Sequence, residues 1–337
     1  MSDLIDQRAY SMSRLRTFYS GCSYKYFLRY LQGYRGTYSS AVWLGSIVHT
    51  LIQQAYHGIP LAEAHRRVWL HACGSIYQEL DIWYCLDLEY QAAGKAHTKA
   101  RALWLEQHPA YTELARSIEA YRDEFLSEGY TWAKTASLTE YYRWSCRLMT
   151  LPRTHILLPY AVLVEGQSLL GPDGEPASHI ASHEAAQVQY HLLRGTLDGL
   201  LVVGVPDVVA VDPQGVVWIA DYKVMSHMMT QEETAGDGQL NLHVHLLRQA
   251  GRIAPDQSVH IGHIYLTEHQ GVQQVWARPS PDALALLTTQ VREMDRVVRA
   301  RVFLPVRGIA VGAMSPCARC EVAEVCRTSL SMKGETP

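Results

Sequence analysis

Two aspartates and a lysine within one short stretch carry the most chemistry in this 337-residue chain. Asp207 leads into Val208-Val209-Ala210-Val211, Asp212-Pro213-Gln214-Gly215 turns the chain, and Val216-Val217-Trp218-Ile219-Ala220 leads out to Asp221-Tyr222-Lys223. β-Branched runs on either side of a Pro- and Gly-bearing turn predict a hairpin. Asp207 and Asp221 lie near its ends, and period-two alternation puts Asp221 and Lys223 on one face. Two carboxylates and an ammonium at a sheet edge suit a divalent cation beside a water that has to lose a proton. Most charged hairpin residues are merely solvated; Asp221 and Lys223 stand out because they follow an apolar run.

A second reactive set lies near the C-terminus, where Cys317, Cys320 and Cys326 follow a C-x2-C-x5-C pattern. Short loops of that kind return three thiolates to one point, where they can hold an ion or a cluster. A tetrahedral set is then one ligand short. Cys22 can supply it only if the fold brings the two ends of the chain together, whereas a zinc ribbon draws its pairs from nearby sequence. Cys73, Cys85 and Cys146 are scattered and read as ordinary buried thiols.

Gly204-Val205-Pro206-Asp207 followed by Asp221-Tyr222-Lys223 resembles the GxxD…DxK signature of PD-(D/E)XK nucleases in their RecB-like form. Gly195-Thr196-Leu197-Asp198 has the same shape, but the shorter gap suits one hairpin, so Asp207 is the first choice and Asp198 the second. A lone N-terminal cysteine with a C-terminal triplet is similar to the iron-sulfur members, the AddB-type and CRISPR-adaptation exonucleases. The resemblance implies that Cys22, Cys317, Cys320 and Cys326 hold a 4Fe-4S cluster that clamps the first helices to the C-terminus. Gly21-Cys22-Ser23-Tyr24-Lys25-Tyr26-Phe27-Leu28 is similar to their usual start, with Ser23 in place of proline.

Gly45-Ser46-Ile47-Val48-His49 resembles the G-x-x-x-H element of the same enzymes and implies His49 as a metal ligand. Gln239-Leu240-Asn241-Leu242-His243 resembles their Q-x-x-x-Y helix, which implies a catalytic role for Gln239, with His243 replacing the tyrosine. Glu165 is the candidate for an acid carried on an earlier strand in some members. The implied metal set is His49, Asp207, Asp221 and the Tyr222 backbone carbonyl around Mg²⁺ or Mn²⁺, with Lys223 orienting or deprotonating the attacking water.

These residues need elements to position them. Residues 11–32 read as two helical pieces, the first capped by Ser13 and the second running Tyr24–Leu31. An apolar helix follows from Ser39 or Ser40 to about Gly58. Helical periodicity marks Ala62–Leu80, Ala92–Gln107 and Tyr111–Ser127; strands are expected at Thr139–Leu148, His155–Glu165 and Val188–Val203. After the hairpin come a helix over Glu232–Arg248, strands Val259–Thr267 and Val272–Ala277, and a long helix Asp282–Arg301. The expected fold is α/β: a restriction-endonuclease-like core, a mixed central β-sheet flanked by helices, with a helical insertion and a C-terminal iron-sulfur tail. Its expected division is 1–60 for the N-terminal helices with the first cluster cysteine, 61–135 for the insertion, 136–305 for the nuclease core and 306–337 for the tail.

Composition bounds the function. The chain is 48% hydrophobic and 19% charged with a net charge of −3, so no global basic field marks it as a nonspecific DNA coat. Local cations do occur: Arg8, Arg14, Arg16, Lys25, Arg29 and Arg35 alternate with Tyr19, Tyr24, Tyr26 and Tyr30, a mixture that can hold phosphates and stack bases or can form an aromatic core face. No long apolar run and an acidic start leave the cytoplasm as the expected compartment, with no membrane contact. Seven cysteines, an odd count, argue against a disulfide framework. The expected activity is a metal-dependent exonuclease on single-stranded DNA or DNA ends in recombination, repair or CRISPR adaptation, with a helicase, recombinase or integrase as the class of partner. The alternatives are a catalytically silent DNA-binding scaffold of the same fold and a zinc-stapled structural protein.

Overall fold

Alternation decides how the central hairpin packs, because each strand must bury both faces. In the computed structural model, residues 9–34, 38–74, 76–96, 98–125, 130–131, 137–165, 192–224, 227–267, 271–304, 317, 320 and 322–331 are described. Short helices α1 (Met12–Arg16) and α2 (Ser23–Tyr26) each run on into a π-helical turn. Ser11, rather than Ser13, caps α1 by accepting from the Arg14 N–H. Strand β1 (Tyr38–Ser39) leads into α3 (Ser40–Tyr56). Then come α4 (Leu61–Cys73), α5 (Ile76–Ala96), α6 (Thr98–Gln107), α7 (Pro109–Phe125) and β2 (Tyr130–Thr131), which pairs with β1. Next are α8 (Leu138–Met149), α9 (Arg153–Ile156), β3 (Ala161–Glu165), β4 (Leu193–Leu197), β5 (Leu200–Gly204), β6 (Val208–Val211) and β7 (Val217–Lys223). The chain continues through α10 (Gln231–Ala235), α11 (Gly238–Gln249), β8 (Val259–Thr267), β9 (Gly271–Ala277), α12 (Pro281–Ala300) and α13 (Ala323–Ser331).

Five strands form one mixed sheet in the order β3-β6-β7-β8-β9, with β7 in the middle. The β7–β8 pair is parallel and the other three are antiparallel. A parallel pair needs a crossover, which α10 and α11 provide. One face of the sheet, with Val209, Val217, Ile219 and Ile261, packs on α11, α12, the β4–β5 hairpin and the N-terminal helices through Leu15 and Tyr26. The other face, with Val208, Ala210, Ala220, Tyr222 and Ile264, packs on α3 and α8 through Leu44, Val48, Leu51 and Trp144. Helices α4, α5 and α7 bury a further cluster, including Trp69, Leu80, Trp83 and Ile118, against Trp43 and Ile47 of α3. The expected α/β architecture, a mixed central sheet flanked by helices, is therefore present. No helix among the described residues is long and apolar enough to cross a membrane.

Several local expectations are corrected. Thr139–Leu148, read as a strand for its aromatic residues, is helix α8; Ser137 caps it by accepting from the Glu140 N–H, and its buried positions Leu138, Tyr142, Ser145 and Cys146 recur at helical spacing. The Ala62–Leu80 helix breaks at Gly74, whose φ of +55° disfavours a side chain. His155–Glu165 begins as the one-turn helix α9 before β3. Of Val188–Val203, residues 188–191 lie outside the described residues, and the rest is two strands turned by Asp198 and Gly199, both at positive φ, as a tight hairpin turn requires. Glu232–Arg248 is split where Asp237 caps α11. Cys73 and Cys146 are buried as expected, but Cys85 is exposed.

Candidate active site

The strand β7 ends in Asp221-Tyr222-Lys223, and β6 begins one residue after Asp207. Antiparallel pairing of Val208 with Ala220 continues toward Asp207 across from Asp221, and the Asp207 Oδ2 accepts from the Tyr222 N–H at 2.8 Å. Helix α3 crosses the same sheet end. It presents His49, whose Nε2 lies 3.1 Å from the Tyr222 carbonyl oxygen and whose Nδ1 lies 3.4 Å from Asp207 Oδ1. The Tyr222 ring anchors this backbone: its hydroxyl donates to the Ile156 carbonyl at 2.9 Å and lies 2.9 Å from the Tyr56 hydroxyl. Burial, with Tyr56 close by, holds the Tyr222 hydroxyl protonated well above the ordinary tyrosine range.

Asp221 is only 3% exposed. Its Oδ2 is ion-paired with the Lys223 ammonium, and Gln239 Nε2 donates to its Oδ1 at 2.7 Å. Burial would raise the Asp221 pKa, but His263 and Lys223 outweigh it and hold the carboxyl well below its usual range. Burial would likewise push His49 down. The Asp207 carboxylate, with Asp221 behind it, reverses that and holds the imidazole at about 9. The end of the hairpin thus gathers two carboxylates, of which Asp221 is kept ionised against burial by the cations around it.

His49, Asp207, Asp221, Tyr222, Lys223 and Gln239 are linked in this one contact network. Asp198 stands apart in the exposed β4–β5 turn, paired with Arg292 at 2.5 Å, and that pairing lowers its pKa. Its GxxD-like context reflects a hairpin turn. The Glu165 backbone pairs with Val208, next to Asp207, while its side chain lies outside the described residues. His243 follows Gln239 on α11 and is 2% exposed, with no hydrogen bond to its Nδ1. A Cβ on Gly204 would lie 2.8 Å from the His243 ring, so the close approach of β5 to this imidazole requires glycine.

Sequence reading missed His263 and Asp237, which flank Asp221 from behind. His263 Nδ1 is 3.5 Å from Asp221 Oδ2, and its Nε2 is 3.6 Å from Asp237 Oδ2. Burial lowers the His263 pKa, but the two carboxylates outweigh it and raise it to about 8. The two histidines, His260 and His263, in the largely apolar run of β8 were the available signal.

Among the described residues, no three His, Cys, Asp or Glu side chains form a ready-made metal cage. The donors around Asp221 are instead bonded to one another, and ligation requires the imidazole to give up its proton. The donor chemistry nevertheless fits a hard divalent ion: two carboxylates, one of them the buried Asp221, with a backbone carbonyl and an imidazole beside them.

At the far side of the N-terminal helices, Cys22, Cys320 and Cys326 pack into one small cluster with Tyr24, Leu28 and Val322. Burial raises the Cys326 pKa, and the neighbouring Cys22, Cys320 and Cys317 sulfurs raise it further, so all four thiols lie within electrostatic reach. Four soft sulfur donors suit iron-sulfur or zinc. The basic and aromatic N-terminal residues divide: Tyr24 and Tyr26 are core, while Arg14 and Arg29 sit 5.3 and 5.4 Å from the Tyr30 ring centre. Arg8 and Arg35 lie outside the described residues.

No curated protein matches the chain. It is similar in structure to a protein of Eubacterium rectale designated a candidate exonuclease, with 12% identity over 93% of each chain and a TM-score of 0.45. The profile of the PD-(D/E)XK nuclease superfamily matches residues 9–327, from just before α1 into α13. Extending through the acidic hairpin and both flanking layers, that match makes the chain a member of the PD-(D/E)XK nuclease superfamily.

Proposed function

We propose that this chain is a metal-dependent deoxyribonuclease of the RecB-like iron-sulfur type, an exonuclease acting on single-stranded DNA or DNA ends. The observation that carries the reading is the meeting of His49 with Asp207 and the Tyr222 carbonyl, 173 residues away in sequence from Tyr222, beside the Asp221–Lys223 pair. Such a convergence has no packing necessity, since a buried apolar contact would close the same joint without ionised groups.

Asp207, Asp221, His49 and the Tyr222 carbonyl would hold Mg²⁺ or Mn²⁺, the ions this superfamily generally uses. When bound, the ion supplies Lewis-acid polarisation of the phosphate and acidifies a water. Lys223 holds that water by hydrogen bonding and offsets negative charge growing on the phosphate oxygens. Gln239 fixes the Asp221 carboxylate through its Oδ1. Cys22, Cys317, Cys320 and Cys326 would hold a 4Fe-4S cluster that staples the N-terminal helices to the tail, a structural role. Recombination, repair or CRISPR adaptation, with a helicase, recombinase or integrase partner, is the setting this reading implies.

The test is an assay on 5′- and 3′-end-labelled single- and double-stranded DNA with added Mg²⁺ or Mn²⁺. Stepwise shortening from an end, lost in Asp221→Asn and on chelation, is expected. Intact DNA under all these conditions, or cleavage that survives Asp221→Asn, would overturn the reading.

A further inference from the structure

We propose that His263 is a positioning residue that ties the Asp221 carboxylate to Asp237, and through Asp237 to the N-terminus of the helix carrying Gln239. The inference rests on the reading that Asp221 is a metal ligand.

His263 sits on β8 directly in register with Asp221 on its parallel neighbour β7, so the two side chains share one face of the sheet. The imidazole is 1% exposed, yet neither ring nitrogen has a hydrogen bond. A buried polar ring in that condition is costly, and nothing in the packing of an apolar strand demands it. Each nitrogen instead faces a carboxylate, Asp221 Oδ2 at 3.5 Å on one side and Asp237 Oδ2 at 3.6 Å on the other.

Asp237 also caps α11: its Oδ1 accepts from the backbone N–H groups of Gln239 at 2.7 Å and of Leu240 at 3.0 Å. One residue into that helix, the Gln239 side chain donates to Asp221 Oδ1 at 2.7 Å. Both oxygens of Asp221 are therefore addressed, Oδ1 by Gln239 and Oδ2 by His263 backed by Asp237, in addition to the Lys223 ammonium. A carboxylate gripped at both oxygens cannot rotate, and it offers a cation one arrangement of lone pairs instead of many. Arg16, half-exposed and 3.8 Å from Asp237 Oδ2, meets the outer end of the same chain of contacts, which runs from the surface to the metal ligand.

Direct Mn²⁺ binding to the full-length protein without DNA, followed by the electron paramagnetic resonance signal of the unbound ion, tests this apart from activity. His263→Leu is expected to weaken Mn²⁺ binding roughly 10- to 100-fold. The Mn²⁺ needed for half-maximal cleavage should rise in parallel, while turnover at saturating Mn²⁺ falls far less. His263→Gln, which keeps a donor, should recover part of the affinity. Asp237→Asn is the second variant because asparagine preserves the cap acceptor while removing the charge; it should shift the same two readouts in the same direction without unfolding α11. Unchanged Mn²⁺ affinity in Asp237→Asn and in a folded His263→Leu would overturn the proposal. If Asp221→Asn leaves Mn²⁺ binding intact, the metal-ligand reading itself fails; if Asp221→Asn abolishes binding and the His263 and Asp237 variants do not shift it, the positioning role alone fails.

Discussion

Lys223 and Asp221 lie two residues apart on β7, and their side chains meet on one face of the sheet end as an ion pair, with Asp221 buried. His263 and that pairing together keep Asp221 ionised in a site where burial opposes charge. Lys223→Ala is expected to lower single-turnover cleavage by about 10²- to 10⁴-fold, the usual range for a group that handles the attacking proton. DNA binding in Ca²⁺ should change far less; wild-type cleavage by Lys223→Ala would remove the lysine from the chemistry. His49 was legible as an imidazole one helical turn after a glycine. Its partners were implied only by the family resemblance, because nothing in a helix's own pattern says which strand it will cross. Asp198 shows the converse: a residue matching a motif by spacing is held in a turn by Arg292 instead.

At the scale of elements, α8 is where local pattern misleads. Tyr, Trp and Thr favour strands, yet burial along one helical face against α3, α4 and α5 outweighs that preference. The α4–α8 joint carries a testable charge consequence. His65 is 2% exposed, its Nε2 is 3.0 Å from Ser145 Oγ, and burial holds its pKa down to about 3. An unfolded chain takes up that proton near pH 6.5. Its contribution is therefore intact above pH 6.5 and is lost as pH falls from there toward 3, by about 2 kcal/mol at pH 5 for this one group. Urea unfolding of the wild type and of His65→Gln at pH 7 and pH 5 checks it: the variant should lose less stability between the two. The sheet offers a steric counterpart. A Cβ at Gly262 on β8 would lie 2.2 Å from the Trp276 ring across the β8–β9 pair. Gly262→Ala should cost about 1–3 kcal/mol by displacing that indole. An unchanged melting temperature would show that the indole moves aside freely.

Across the whole molecule, the N-terminal helices meet described residues from the C-terminal part of the chain. Cys22 and Ser23 approach Leu304, Phe27 stacks on Phe303 with ring centres 5.0 Å apart, and Val322 closes the small core beside Cys320 and Cys326. An apolar cluster of this size is weak alone, so a cross-link there has much to add: closing a loop of nearly the full chain restricts the unfolded state by on the order of 5 kcal/mol. With the proposed 4Fe-4S cluster at this site, Cys326→Ser is expected to lose iron and inorganic sulfide, lower the melting temperature and open the N-terminal helices to proteolysis. Iron-free wild-type protein carrying stoichiometric zinc would replace the cluster with a zinc staple.

Local order was legible wherever a side chain's role follows from its own neighbours. Valine runs and Asp212-Pro213-Gln214-Gly215 announce the β6–β7 hairpin, alternation puts Asp221 with Lys223, and helical period places His49 on α3. The Asp198-Gly199 turn, the break at Asp237 and the helix at 138–149 were also written locally, but in signals that compete with others. Beyond the grouping of His49 with Asp207 that the family resemblance implied, what required the tertiary structure was the contacts between distant segments, such as Gln239 with Asp221 and His263 between two acids. Those pairings depend on strand order and on which helix covers which face. These are settled by burying apolar surface over the whole chain, and no short stretch of residues encodes the result.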